Sequence, residues 1–69
     1  MAKKIGSKYW ADFYVVLKNG QKIYLEEAFG EDFIANQMKS NSKKIKAEIS
    51  GKDEEITIKK KDILYYGEC

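Results

Sequence analysis

Residues 9–26, YWADFYVVLKNGQKIYLE, decide the fold. The first half, YWADFYVVL, is crowded with aromatic and β-branched side chains and reads as a strand, and KIYLE reads as its return. Between them Asn19-Gly20 is the strongest short hairpin signal, because both central residues of a type I′ turn need positive φ. A two-residue loop at that point sets Leu17 opposite Lys22, Val16 opposite Ile23, Val15 opposite Tyr24 and Tyr14 opposite Leu25. Directly opposed residues share a sheet face. Tyr14, Val16, Ile23 and Leu25 then fall on one face, and Phe13, Val15, Leu17 and Tyr24 on the other. Both faces are apolar, whereas an antiparallel strand with one solvated face alternates. The hairpin is therefore expected to be covered on both sides, to curl into a small barrel, or to show one face to a partner. Continuing the register opposes Asp12 and Glu27, and the pairing is expected to fray or bulge there.

Downstream, residues 31–40, EDFIANQMKS, read as a short helix with acids in its first turn and a lysine near its end, which suits the helix dipole. Phe33, Ile34 and Met38 lie to one side of it with Gln37 among them, and Phe29 extends the stripe. Such a helix is too short to stand alone and must pack on the sheet. Residues 43–50, KKIKAEIS, alternate, with Ile45, Ala47 and Ile49 inward. After a turn at Gly51-Lys52-Asp53-Glu54, Ile56 and Ile58 point inward from the next strand. Lys60-Lys61-Asp62 is a polar kink, and residues 63–66, ILYY, form a last short strand. Upstream, residues 1–8, MAKKIGSK, read as a loose lead-in. The expected fold is α+β: a small, strongly bent antiparallel β-sheet or barrel of 4–5 strands, with one short helix between strands 2 and 3. An open ββαββ sheet is the alternative.

The 69 residues make one domain, with 13 cations, all lysine, against 11 acids. A domain of about 60 residues buries only roughly 60% of its unfolded surface, so most large apolar side chains must serve its core. The missing residue types exclude whole classes of chemistry. With no His there is no Ser-His-Asp or Cys-His arrangement and no His-containing zinc site. With no Arg there is no arginine finger and no bidentate fork for phosphate or guanine. The single Cys69 excludes an intrachain disulfide and a multi-Cys metal site. The acidic turn Asp53-Glu54-Glu55 falls short of the 6–8 oxygens that Ca²⁺ takes. The chain is expected to be no enzyme and to hold no metal or cofactor. No apolar run approaches the roughly 20 residues of a membrane span, and the basic start lacks the apolar stretch of a signal peptide. An unpaired Cys fits a reducing compartment, so the expected location is cytoplasmic.

The closing segment, ITIKKKDILYY, has the rhythm strand, one-turn kink, strand. It resembles the end of Sm-like and related small β-barrels, and VVLKNGQKI resembles their first hairpin. The Arg-Gly that opens the Sm closing segment is replaced here by Lys59-Lys60, and a typical Sm fold has no helix at the position of residues 31–40. The whole layout (an LKNG hairpin, a short helix, a lysine-rich strand and a final ITI…DILYY pair) is similar to small accessory proteins of phages and prophages of Gram-positive bacteria. That resemblance implies inhibition of a host defence protein or host enzyme by direct binding, in the host cytoplasm.

Neighbouring aromatics in a strand point to opposite faces, so the pairs Tyr9-Trp10, Phe13-Tyr14 and Tyr65-Tyr66 each send one ring outward. Trp and Tyr are favoured as interface anchors and as stacking platforms for bases. Lys43, Lys44 and Lys46 form one basic group and Lys59, Lys60 and Lys61 another. On adjacent strands their outward members make a patch that suits phosphates or an acidic protein, or else guards a sheet edge against aggregation. The expected function is a non-enzymatic protein-binding module that occludes a surface of a host protein. Trp10, Tyr14, Tyr24 and Tyr66 are its anchors, and Lys44, Lys46, Lys59 and Lys61 steer association. The alternatives are a nucleic-acid-binding small barrel using Lys and Tyr, and a homo-oligomer that sequesters a small nucleotide. A homodimer through residues 9–17 is the expected self-contact.

Overall fold

In chain order the elements are strand β1 (Lys4–Ile5), a 3-10 turn (Lys8–Trp10), strands β2 (Phe13–Leu17) and β3 (Lys22–Glu26), helix α1 (Ile34–Lys39), strands β4 (Lys44–Ile49) and β5 (Glu55–Lys59), a second 3-10 turn (Lys60–Asp62), and strand β6 (Ile63–Glu68). This computed structural model describes residues 4–28, 30, 32–52 and 54–69. Four expectations fall wholly or partly outside them: the first residues of the lead-in, Phe29 in the helix stripe, a helix start at Glu31, and Asp53 in the acidic turn.

The hairpin forms, but one residue out of the expected register. Phe13 pairs with Leu25, Tyr14 with Tyr24, Val15 with Ile23 and Val16 with Lys22. The turn is the cause. Leu17 N–H donates to Gln21 O (2.8 Å) and Gly20 N–H to Leu17 O (2.9 Å), which closes a three-residue loop. Only Gly20 takes positive φ (90°), and no non-glycine residue does so among those described. Asn19 therefore cannot form a type I′ turn. The loop has the turn-plus-bulge form that places a single Gly in the left-handed region. Asn19 contributes its side chain instead, its Oδ1 accepting the Gln21 N–H at 2.9 Å.

A slip of one residue regroups every side chain. Phe13, Val15, Ile23 and Leu25 now share the core face, and Tyr14, Val16, Lys22 and Tyr24 share the outer one. The core face joins Ile45, Ala47 and Ile49 of β4, Ile58 of β5, Ile63 of β6 and Ile34 of α1 in one buried cluster. The opposed carboxylates do not push the strands apart. Asp12 N–H donates to Leu25 O (2.9 Å), and Asp12 Oδ2 accepts the Glu27 N–H (3.1 Å).

The strand order is β5-β4-β3-β2-β6, with β1 added to β3. The end strands β5 and β6 are nevertheless joined by one 3-10 turn. Four strand spacings span about 19 Å in a flat sheet, and three residues of 3-10 helix rise only about 6 Å. The sheet must fold over on itself, and the core fills the fold. Lys60 N–H to Lys43 O and Lys18 N–H to Asp62 O, both 2.9 Å, bind the turn between β4 and β2. The sheet does not close into a barrel: among the described residues no ladder joins β5 to β6.

The lead-in accounts for the larger strand number, six rather than four or five. β4 pairs with β3 only at Leu25–Ile49 and Glu26–Glu48. The other half of that edge is taken by β1, parallel, as Lys4–Lys22 and Ile5–Ile23. Residues 4–7 are thus tied down rather than loose. Ser7 N–H donates to Ser50 O, Ser50 Oγ to Ser7 O, and Ser50 N–H to Tyr24 O. With Lys4–Ile5 counted as the first strand, α1 follows the third strand and not the second. The helix is shorter than residues 31–40 and buries Ile34, while Phe33 at its start is exposed. For the homodimer expected through residues 9–17, pairing edge to edge along β2 is not available. Lys8–Trp10 is a 3-10 turn, and β2 has a strand on either side, so neither of its edges is open to a second copy. No described helix is long and apolar enough to cross a membrane.

Candidate functional site

Three surface features gather the residues singled out from the sequence. The first is the outer face of the β2–β3 hairpin with the adjoining strand β6. Lys22 Nζ stands over the Tyr14 ring (4.5 Å to the centroid) and near the Tyr24 ring (5.2 Å). Such placements are cation–π contacts. Tyr14 meets Tyr24 and Tyr65 edge-on, with centroids 6.4 and 6.5 Å apart. Opposite Tyr14 on β6 is Gly67. A Cβ there would sit 2.6 Å from the Tyr14 hydroxyl oxygen, so the ring lies down across the glycine. The second apolar face is thus largely covered by its own rings. Tyr24 is only 5% exposed and is unavailable as an anchor, and Tyr14 is half-buried.

Strand β6 itself is different. It pairs with β2 on one side and has no described strand on the other. Leu64 is 60% and Tyr65 53% exposed, and Tyr66 is exposed beside them. A shift of register between Val16 and Leu17 throws Leu64 out of the ladder, which runs on as Val16–Tyr65 and Val15–Tyr66. No charge interrupts residues 63–67, ILYYG. The other free edge, β5, carries Glu55 and Lys59 at its ends and Thr57 at its centre. Native sheets blunt their edges with charges of that kind. The β6 edge carries its charge only at its last residue, Glu68, and its stretch from Ile63 to Gly67 is bare. Its exposed Leu64 is the residue that sequence reasoning misses, because ILYY looks like any core strand until its neighbour is known.

The second feature is the pair Tyr9 and Trp10, 83% and 60% exposed, whose rings meet edge-on at 4.8 Å. Trp10 lies against Gly51, 3.6 Å from where a Cβ would stand. With Glu26, Gly51 and Lys52 it lines a shallow depression at the β4–β5 turn. Tyr66 does not line this depression and stands on β6 opposite Val15.

The third feature is basic. Lys43, Lys44, Lys59, Lys60 and Lys61 line an open basin of about 550 Å³ with Met38, Ser40 and Ser42. Lys44, Lys59 and Lys61 come together here, as expected, while Lys46 lines the neighbouring depression with Asp32 and Gln37. Lys60 serves the fold itself. Its Nζ donates to Met38 O (3.2 Å), Ser40 O (2.9 Å) and Ser40 Oγ (3.3 Å), capping the end of α1. Cys69 is an exposed thiol. Set beside the known protein families, the curated proteins and the solved structures, the chain matches none of them, so its resemblances to Sm-like barrels and to phage accessory proteins rest on the residues quoted for them.

Proposed function

We propose that the protein is a non-enzymatic protein-binding module that accepts an extended segment of its partner alongside β6. The free edge of β6 carries this reading. It presents an unpaired backbone together with Leu64, Tyr65 and Tyr66, three exposed apolar or aromatic side chains. Strand addition to such an edge draws affinity from main-chain hydrogen bonds and specificity from alternate side chains. Aromatic rings beside the edge would cover the incoming strand, and Tyr65 is already braced edge-on by Tyr14. Of the four anchors expected from the sequence, Tyr66 lies on this edge, Tyr14 supports it, Tyr24 is internal and Trp10 lines the depression at the β4–β5 turn. The residue inventory supports a binding role over catalysis, since no histidine is present and one cysteine stands at the last position.

The test combines light scattering with partner capture and crosslinking by wild type, Tyr65→Lys and Trp10→Ala. A lysine on the edge should abolish capture, because it places charge where the partner strand docks. Wild type should be a monomer when alone. A dimer dispersed by Tyr65→Lys would assign the edge to a second copy of the chain and overturn the proposal. So would capture lost with Trp10→Ala but retained with Tyr65→Lys.

A further inference from the structure

At its Lys59 end the β4–β5 ribbon collects cations that strand pairing alone disfavours. Lys44 stands directly opposite Lys59, and like charges in that relation destabilise an antiparallel pair. Four residues along the ribbon the sign reverses, with Glu48 directly opposite Glu55. The outward face of this one ribbon thus carries a positive end and a negative end, where an ordinary surface intersperses the two signs. The positive end forms a wall of the basin, and no carboxylate lines that basin among the described residues.

The five lysines of the basin are not equivalent. Lys60 is bound to the last carbonyls of α1. Those carbonyls form the negative end of the helix dipole and would repel an anion. With Lys60 fixed on them, that repulsion is offset at the basin wall. Lys43, Lys44, Lys59 and Lys61 are exposed. The Ser42 hydroxyl shapes the rim by donating to Lys44 O at 3.0 Å and accepting the Lys44 N–H at 3.3 Å. Met38 supplies an apolar patch among the cations.

Size and charge layout select the ligand. A volume of about 550 Å³ falls within the roughly 300–1,000 Å³ of small-ligand pockets. A strand of nucleic acid following the ribbon would meet Glu48 and Glu55 after about 14 Å, four residues at strand rise. The positive field is local, so it suits a compact anion rather than a long one. Lysine ammonium groups act on phosphate as point charges, and four of them around one basin match a diphosphate. We propose that this basin binds a diphosphate group, carried by inorganic pyrophosphate or by a nucleoside di- or triphosphate, through Lys43, Lys44, Lys59 and Lys61. The proposal is independent of strand addition at β6.

The test is calorimetric titration of the full chain at low salt with pyrophosphate, ADP, ATP, inorganic phosphate and a single-stranded oligonucleotide. Pyrophosphate or a nucleotide should bind measurably, and more tightly than phosphate. A nucleotide that outbinds pyrophosphate identifies the base as part of the ligand, and equal affinity identifies the diphosphate alone. Lys44→Gln and Lys59→Gln should each weaken binding about tenfold, as expected for loss of a charge-assisted contact. Lys52→Gln, which removes the same charge outside the basin, should leave it unchanged. Thermal unfolding of each variant confirms that it is folded. No heat with any diphosphate, equal loss with Lys52→Gln, or preference for the oligonucleotide over every diphosphate would overturn the assignment.

Discussion

The side-chain amide of Gln37 pairs with the backbone of Lys46 as a strand residue would. Its Oε1 accepts the Lys46 N–H at 2.7 Å, and its Nε2 donates to Lys46 O at 2.9 Å. The site is the half of the β4 edge that β3 does not reach, since β3 meets β4 only at Ile49 and Glu48. One glutamine therefore finishes a sheet edge and docks a six-residue helix with the same two bonds. A third bond, from Nε2 to Asp32 O at 2.8 Å, holds the approach to the helix.

Replacing Gln37 should cost more than an exposed helical residue normally does. Gln37→Ala removes three hydrogen bonds of about 1 kcal/mol each, with water recovering part, so a loss of about 1–2 kcal/mol in urea unfolding is expected. Gln37→Glu keeps the acceptor for Lys46 N–H but sets a carboxylate oxygen against two carbonyls, and should be no better than alanine. Faster exchange of the Lys46 amide in both variants would locate the effect. A change below the error of the melt would show that the amide pair contributes nothing.

Two glycines make a graded comparison. A Cβ at Gly6 would stand 2.5 Å from the Tyr24 carbonyl oxygen, on a residue with φ +85°. The obstacle is backbone, and positive φ alone costs an L-residue about 1–2 kcal/mol. At Gly67 the obstacle is the Tyr14 ring, which can swing aside. Gly67→Ala should cost about 1 kcal/mol, the low end for overpacking, and Gly6→Ala clearly more. The Gly67→Ala penalty should shrink in a Tyr14→Ala background. An equal penalty in both backgrounds would mean that ring and glycine do not meet.

The turn geometry is testable at Asn19 and Gly20. Gly20→Ala should destabilise by about 1 kcal/mol because of its positive φ, whereas Asn19→Ala loses one side-chain hydrogen bond, about 0.5–1 kcal/mol. In a type I′ turn Asn19 would also hold positive φ. Asn19→Gly would then stabilise the protein, and with the observed loop it should not. Denaturation midpoints of the three variants decide between the two turns.

The opposed lysines predict an inverse charge effect. Lys59→Glu converts the Lys44–Lys59 repulsion into an attraction and should raise stability by about 0.2–1 kcal/mol. Raising ionic strength should stabilise wild type more than this variant, since salt screens exposed charges. Parallel melts at low and high salt check the sign.

Much of the architecture was legible because it depends on side-chain period. Ile45, Ala47 and Ile49 alternate inward as their spacing predicts, and the strand at 55–59 and the kink at 60–62 stand as expected, while the last strand runs on to Glu68, two residues past the expected 63–66. The helix was legible in kind but not in extent. Phe33 looked like a core residue by its neighbours and is exposed, because the helix turns Ile34 to the core and Phe33 lies before its first turn. The basic patch was also visible as two lysine groups. That Lys60 leaves the patch to cap α1 was not, since the helix end and the kink are some twenty residues apart.

The sequence by itself determined the local facts: which segments extend, where the chain turns, which side chains are apolar, and which catalytic chemistries lack their residues. Only the tertiary structure decided the hairpin register, because the sign of φ at Asn19 sets which side chains of β3 share a face with those of β2. It also decided which strands are left with a bare edge. A strand carries no mark of its neighbours, and β6 becomes an edge only when the sheet folds over and β2 takes its other side. The free energy of pairing belongs to both strands at once, so no reading of either strand alone contains it.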